Sequence, residues 1–148
     1  IMIADPQRRV GEIIVDFQLK MALETENLHL NHDVLYKGVE EVFKDKSKGN
    51  YFVAEINSRV IASLLTTYEW SDWRSSTIIW IQSVYVMPEF RKHGVFKQMY
   101  DFIKEIVNSS HGYCGIKLYV DKTNLKAQKV YESVGMNGEH YRMYEWMK

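Results

Sequence analysis

The residue types best suited to chemistry fall in two clusters. The first is Arg91-Lys92-His93-Gly94-Val95-Phe96, where two cations and a histidine lead into a glycine at the start of an amphipathic stretch. A helix N-terminus presents unpaired N–H groups and a partial positive charge, so such a turn can hold a phosphate group. A glycine that serves only the turn fits the same residues. The second cluster is Glu69-Trp70-Ser71-Asp72-Trp73, in which carboxylates alternate with indoles. Aromatic faces beside carboxylates suit an alkylammonium group. Surface acids and tryptophans that form a lid or a dimer contact fit it equally. His93 belongs to the turn, His29 and His32 read as a solvated loop, and His111 and His140 as turn residues.

These clusters need elements to hold them. Ile78, Ile79, Trp80, Ile81, Gln82, Ser83, Val84, Tyr85 and Val86 read as a buried strand dense in β-branched and aromatic residues. Pro88 stops it. The helix that opens at Gly94 places Val95, Met99, Phe102, Ile103 and Ile106 on one face. Upstream, Asp5-Pro6 signals a helix start, and Val10, Ile13, Ile14, Phe17 and Met21 carry that helix to about Glu24. Any strand before it is limited to residues 1–4. A second helix covers 34–46, with Val34, Leu35, Val39, Val42 and Phe43 inward.

Residues 51–56 and 60–68 form a hairpin about Asn57-Ser58, followed by a loop over 69–76. After the central strand and its helix come a strand over 113–120 and a short helix capped by residues 121–124. In that helix Ala127, Val130, Tyr131 and Val134 share a face, and Gly135 suits a left-handed helix end. A last strand is expected over 139–146. The order describes an α/β sandwich with a mixed sheet.

The whole composition narrows the field. A chain of 148 residues suits one domain spanning 1–148, and 46% apolar content suffices for a core. Zero net charge gives no reason to expect nucleic acid or a membrane surface as partner. The single cysteine, Cys114, cannot form an internal disulfide and sits in no metal-ligand spacing. A reducing, cytoplasmic location is the expectation. No apolar run approaches a membrane span, and the opening residues do not read as a signal peptide.

Two motifs carry a resemblance to a known family. Residues 81–86, Pro88 and the turn Arg91-Lys92-His93-Gly94-Val95-Phe96 resemble the acyl-CoA turn of the GNAT superfamily of N-acyltransferases, written Gln/Arg-x-x-Gly-x-Gly/Ala. Phe96 departs from its final small residue. Asn124-x-x-Ala127-x-x-x-Tyr131-x-x-x-Gly135-Met136 resembles the family's Asn-x-x-Ala-x-x-x-Tyr-x-x-x-Gly-Phe.

The resemblance implies the GNAT fold, in which the central strand splays from its parallel neighbour, and an acetyl-CoA-dependent N-acetyltransferase that needs no metal. It implies that the amides of Arg91, Lys92, His93, Gly94, Val95 and Phe96 take the pyrophosphate, with Phe96 crowding the third position. Backbone groups of Val84, Tyr85 and Val86 would pair with the pantetheine arm, and one N–H would polarise the thioester. Asn124 would cap its helix and touch the cofactor.

Tyr131 would protonate the departing thiolate. Related enzymes carry a glutamate where this chain has Gln82, which cannot act as a base. Glu69 and Asp72 are the candidates for that role, with Trp70, Trp73 and Gln82 toward the substrate. The loop resembles that of small-amine acetyltransferases of the diamine and polyamine kind, so a small primary amine or an amino-acid-like acceptor attacking directly in a ternary complex is expected. A protein or peptide acceptor and a non-catalytic acyl-CoA-binding module are the alternatives. Dimers are common in the family, and the last strand and tryptophan loop could form the contact.

Overall fold

The computed structural model describes residues 1–148, which divide into two units, Ile1–Leu118 and Tyr119–Lys148. In the first unit five strands form one sheet: β1 (Met2–Ala4), β2 (Asn50–Ile56), β3 (Arg59–Ser71), β4 (Ser76–Val86) and β5 (Tyr113–Leu118). They lie in chain order. The first four pair antiparallel, and β4 pairs with β5 in parallel. A parallel partner needs a crossover, supplied here by α3 (Val95–Ser109).

Helices α1 (Gly11–Glu26) and α2 (His32–Lys44) cover one face. There Ile14, Val15, Phe17, Val39 and Val42 pack with Tyr51, Val53, Val60 and Tyr85 of the strands. The other face takes α3, which buries Val95, Met99 and Ile103. Phe102 of α3 meets Phe52 of β2 edge-on, with ring centroids 5.8 Å apart. Tyr51, Phe52 and Val53 thus serve alternate faces, as a strand's period of two requires.

The first hairpin turns on Asn57 and Ser58, both at positive φ (49° and 65°), the pairing that matches a two-residue loop to strand twist. Several boundaries differ from expectation. Asp5 does not cap α1. Its carboxylate lies 3.8 Å from Lys46, and a 3-10 turn over Arg8–Val10 leads into the helix. Helix α2 begins at His32, two residues before the expected start, and Asn31 caps it by accepting the N–H of Val34 at 3.0 Å. Val34 is 70% exposed, because it lies about 100° round the helix from Leu35 and Leu35 continues to Val39 and Val42. β3 extends through Ser71, so Glu69 and Trp70 stand on a strand. Only residues 72–75 remain as loop, closed by the Ser71↔Ser76 pair.

In the second unit α4 (Leu125–Ser133) is the one regular element. Gly135 follows it at φ 92°, and Met136 N–H returns to the carbonyl of Tyr131 at 3.1 Å. The last strand expected over 139–146 does not form. β-Propensity acts through cross-strand pairing, and no ladder reaches these residues. Tyr144 and Trp146 are 88% and 87% exposed.

Candidate active site at the β4–β5 fork

The parallel ladder between β4 and β5 ends at Ile81↔Leu118. β4 continues for five more residues, 82–86, paired on that side with none of β5. On its other side it stays with β3 through Ser63↔Tyr85 and Ala62↔Val86. Leu65 faces Gln82 while Ser63 faces Tyr85, so Ser83 and Val84 together oppose Leu64. This is a β-bulge, which re-aims a strand and ends pairing.

Ser83 adopts φ 54°. Its carbonyl accepts the side-chain amide of Gln18 at 3.1 Å, and Gln18 is itself only 5% exposed. One residue earlier on α1, Phe17 packs on Tyr85 with ring centroids 4.9 Å apart. Helix α1 thereby fixes the bulge from behind. Nothing in the sequence marks it, since the bulged residue is a serine and not a glycine.

Beyond Val86 the chain makes a 3-10 turn over Pro88–Phe90 and then the cationic turn. Lys92 (φ 65°) and Gly94 (φ 75°) are left-handed. A Cβ on Gly94 would meet nothing within 4 Å, so its φ alone favours glycine there. Gly94 precedes α3, whose first turn has no side-chain cap.

Arg91, Lys92, His93 and Gly94 are all exposed, and the Arg91 side chain is tethered at both ends of its guanidinium. Its Nε donates to the Val86 carbonyl and its Nη2 to Glu24 of α1, each at 2.8 Å. Its guanidinium lies 5.4 Å from the centroid of the Tyr85 ring. Phe96, expected to crowd the turn, points inward. It is 8% exposed and stacks on Tyr100 with centroids 6.1 Å apart.

The second cluster separates. Thr67, Trp80 and Lys117 sit in one row across three strands, and Gln82 and Glu69 lie on the same face. Glu69 Oε1 accepts the Trp80 indole N–H at 2.9 Å, and its Oε2 lies 3.5 Å from Lys117 Nζ. Lys117 Nζ is 5.7 Å from the Trp80 ring centroid, within cation–π range. Gln82 donates to Thr67 Oγ1 at 2.6 Å.

Trp70 alternates to the opposite face and is 64% exposed, while Trp73 sits at the hairpin tip, 91% exposed. Asp72 is also at the tip, accepting the Trp73 backbone N–H at 2.9 Å. The indole that shares a face with Glu69 and Gln82 is therefore Trp80. Trp80 and Lys117 were missed as site candidates, though the two-residue spacing of Trp80 and Gln82 already put those two on one face of the strand.

In the second unit, Asn124 Oδ1 accepts the Ala127 N–H at 3.1 Å and caps α4. Tyr131 is half-buried on that helix, and burial pushes its phenol above the usual tyrosine range. No cluster of three His, Cys, Asp or Glu residues could hold a metal ion. No helix is long and apolar enough to cross a membrane.

The strand β4 thus outruns its parallel partner beside a glycine turn. The family model of the acetyltransferase (GNAT) family matches residues 18–136, and the chain belongs to that family of acetyl-CoA-dependent acetyltransferases. Among curated proteins none matches. Among solved structures, the chain is similar to "a possible acetyltransferase from Clostridium difficile 630", with 39% identity over 99% of this chain and 97% of that one at a TM-score of 0.92.

Two more distant structures share the fold alone. An aminoglycoside N-acetyltransferase in complex with CoA is 19% identical over 99% of this chain and 93% of that one, with a TM-score of 0.78. The ribosomal-protein-alanine N-acetyltransferase from Brucella melitensis biovar Abortus 2308 is 12% identical over 99% of both chains, with a TM-score of 0.80.

Proposed function

We propose that this acetyltransferase moves an acetyl group from acetyl-CoA to a primary amine of a small molecule, by direct attack in a ternary complex. The observation that carries the reading is the fork: residues 82–86 of β4 run past the last rung to β5, beside a turn that opens α3 at Gly94. The chain's groups fit the donor. Backbone amides around Gly94 and at the uncapped first turn of α3 suit a pyrophosphate, and the side of Val84, Tyr85 and Val86 that β5 does not reach suits an amide-bearing arm, with the Val86 carbonyl already accepting from Arg91 Nε. When bound, acetyl-CoA supplies an activated thioester.

The residues divide the remaining work. A β4 N–H at the bulge stabilises charge on the carbonyl oxygen. Glu69, oriented by the Trp80 indole, receives the ammonium proton directly or through water. Gln82 donates to Thr67 and takes no proton. Tyr131 gives its phenol proton to the departing sulfur as the C–N bond forms and the C–S bond breaks, and the second N–H proton, shed as the amide forms, restores the phenol. A tyrosine phenol is protonated at neutral pH, and burial pushes its pKa further up. Cys114 has no part as an acyl carrier; its thiol sits 3.6 Å from the Thr77 carbonyl, where β5 begins.

The experiment has two arms. Calorimetry with CoA should show binding, and a panel of small primary amines should release thiol from acetyl-CoA. Binding without thiol release from any amine would reduce the protein to an acyl-CoA-binding module.

A further inference from the structure

The acceptor's chemistry can be read further from the face that carries Glu69. Resting on the acetyltransferase reading, we infer that the acceptor is a zwitterion, an amine with a carboxylate on the adjoining carbon, held between Glu69 and Lys117 against the Trp80 ring. Three strands bring these groups together: Glu69 on β3, Trp80 on β4 and Lys117 on β5. Trp80 and Lys117 pair one rung before the ladder's end at Ile81↔Leu118, so the cluster lies at the mouth of the fork.

Its charges are balanced, one carboxylate and one ammonium 3.5 Å apart. In such a zwitterion only two carbons separate the ammonium nitrogen from the carboxylate oxygens, so it meets both groups at that spacing and adds no net charge. A diamine or polyamine would set a second cation against Lys117, where nearby like charges repel. Lys117 therefore speaks against the polyamine class that the sequence suggested.

The existing pair yields readily. Its side chains are 37% and 39% exposed, and exposed ion pairs contribute little, so exchanging partners with a ligand costs little. Glu69 keeps its orientation meanwhile through the Trp80 indole. Space is available as well: Gly115, two residues before Lys117 on the same face, has no atom within 4 Å of where a Cβ would stand.

The test uses matched acceptors: lysine beside cadaverine, tyrosine beside tyramine, phenylalanine beside phenethylamine. Each pair differs only in the carboxylate. Wild-type protein should favour the amino acid in at least one pair by about tenfold or more in kcat/KM. Lys117→Met should erase that ratio, and Lys117→Arg, which keeps the charge, should restore much of it. A wild type that prefers the decarboxylated amines, or a Lys117→Met variant with the ratio intact, overturns the inference.

A second readout separates this from the activity itself. Calorimetry of each matched pair into CoA-loaded protein reads the Lys117 contact without turnover. Carboxylate-dependent binding that Lys117→Met abolishes upholds the inference even if no thiol is released; equal binding of both members refutes it.

Discussion

At the scale of single residues, the account assigns one proton to Tyr131 and one to Glu69. Tyr131→Phe should lower kcat by about 100-fold or more, the usual size of general acid catalysis, while calorimetric affinity for CoA stays near wild type. Unchanged turnover would remove Tyr131 from the chemistry. Because its phenol titrates above the usual tyrosine range, loss of the acid form belongs above pH 10. A fall in kcat between pH 7 and 9 would have to come from another group.

The residue scale is also where sequence reading was least complete. Asn124 and Tyr131 stood out by spacing. Trp80 and Lys117 did not, because a tryptophan in a run of isoleucines looks like core, and a lysine on an edge strand looks like solvent. Trp70 and Trp73 drew attention by composition alone, and the hairpin turned them away from Glu69.

At the scale of elements, the strand–turn–helix unit was legible. Ile78, Ile79 and Ile81 are strand formers, Pro88 ends the run, and the left-handed position falls on Gly94. The bulge was not legible, because its cause lies in α1, 65 residues away along the chain, where Gln18 holds the Ser83 carbonyl. Leaving that half-buried carbonyl without its partner should cost about 1 kcal/mol. Gln18→Leu should therefore lower the denaturant midpoint and raise KM for acetyl-CoA. Wild-type stability and KM together would show that the bulge stands without the amide. Gly94→Ala places a side-chain-bearing residue at φ 75° and should destabilise by about 1–2 kcal/mol, read by thermal melting; no change would mean the turn tolerates that conformation. The strand expected over 139–146 shows the converse limit: alternating aromatics supply propensity, but pairing decides whether a strand exists.

At the scale of the molecule, the sheet order and its one parallel pair follow from the crossover through α3, and the core between sheet and helices makes a pH-dependent claim. Tyr51, 5% exposed, has its phenol pushed up to about 12 by burial. A folded-state value above the unfolded value of about 10 means its contribution is complete below pH 10 and lost as pH rises toward 12. Tyr51→Phe should flatten that alkaline loss in denaturant titrations, and an unchanged limb would place its origin elsewhere.

The central claim is that the length of β4 left without β5 receives the acyl donor. Amide hydrogen exchange with and without saturating CoA tests it most directly. The account predicts slower exchange in two stretches on binding, 84–86 at the fork and 94–97 at the turn, with little change in β2. Bound CoA that leaves both stretches exchanging at their free rates would contradict it.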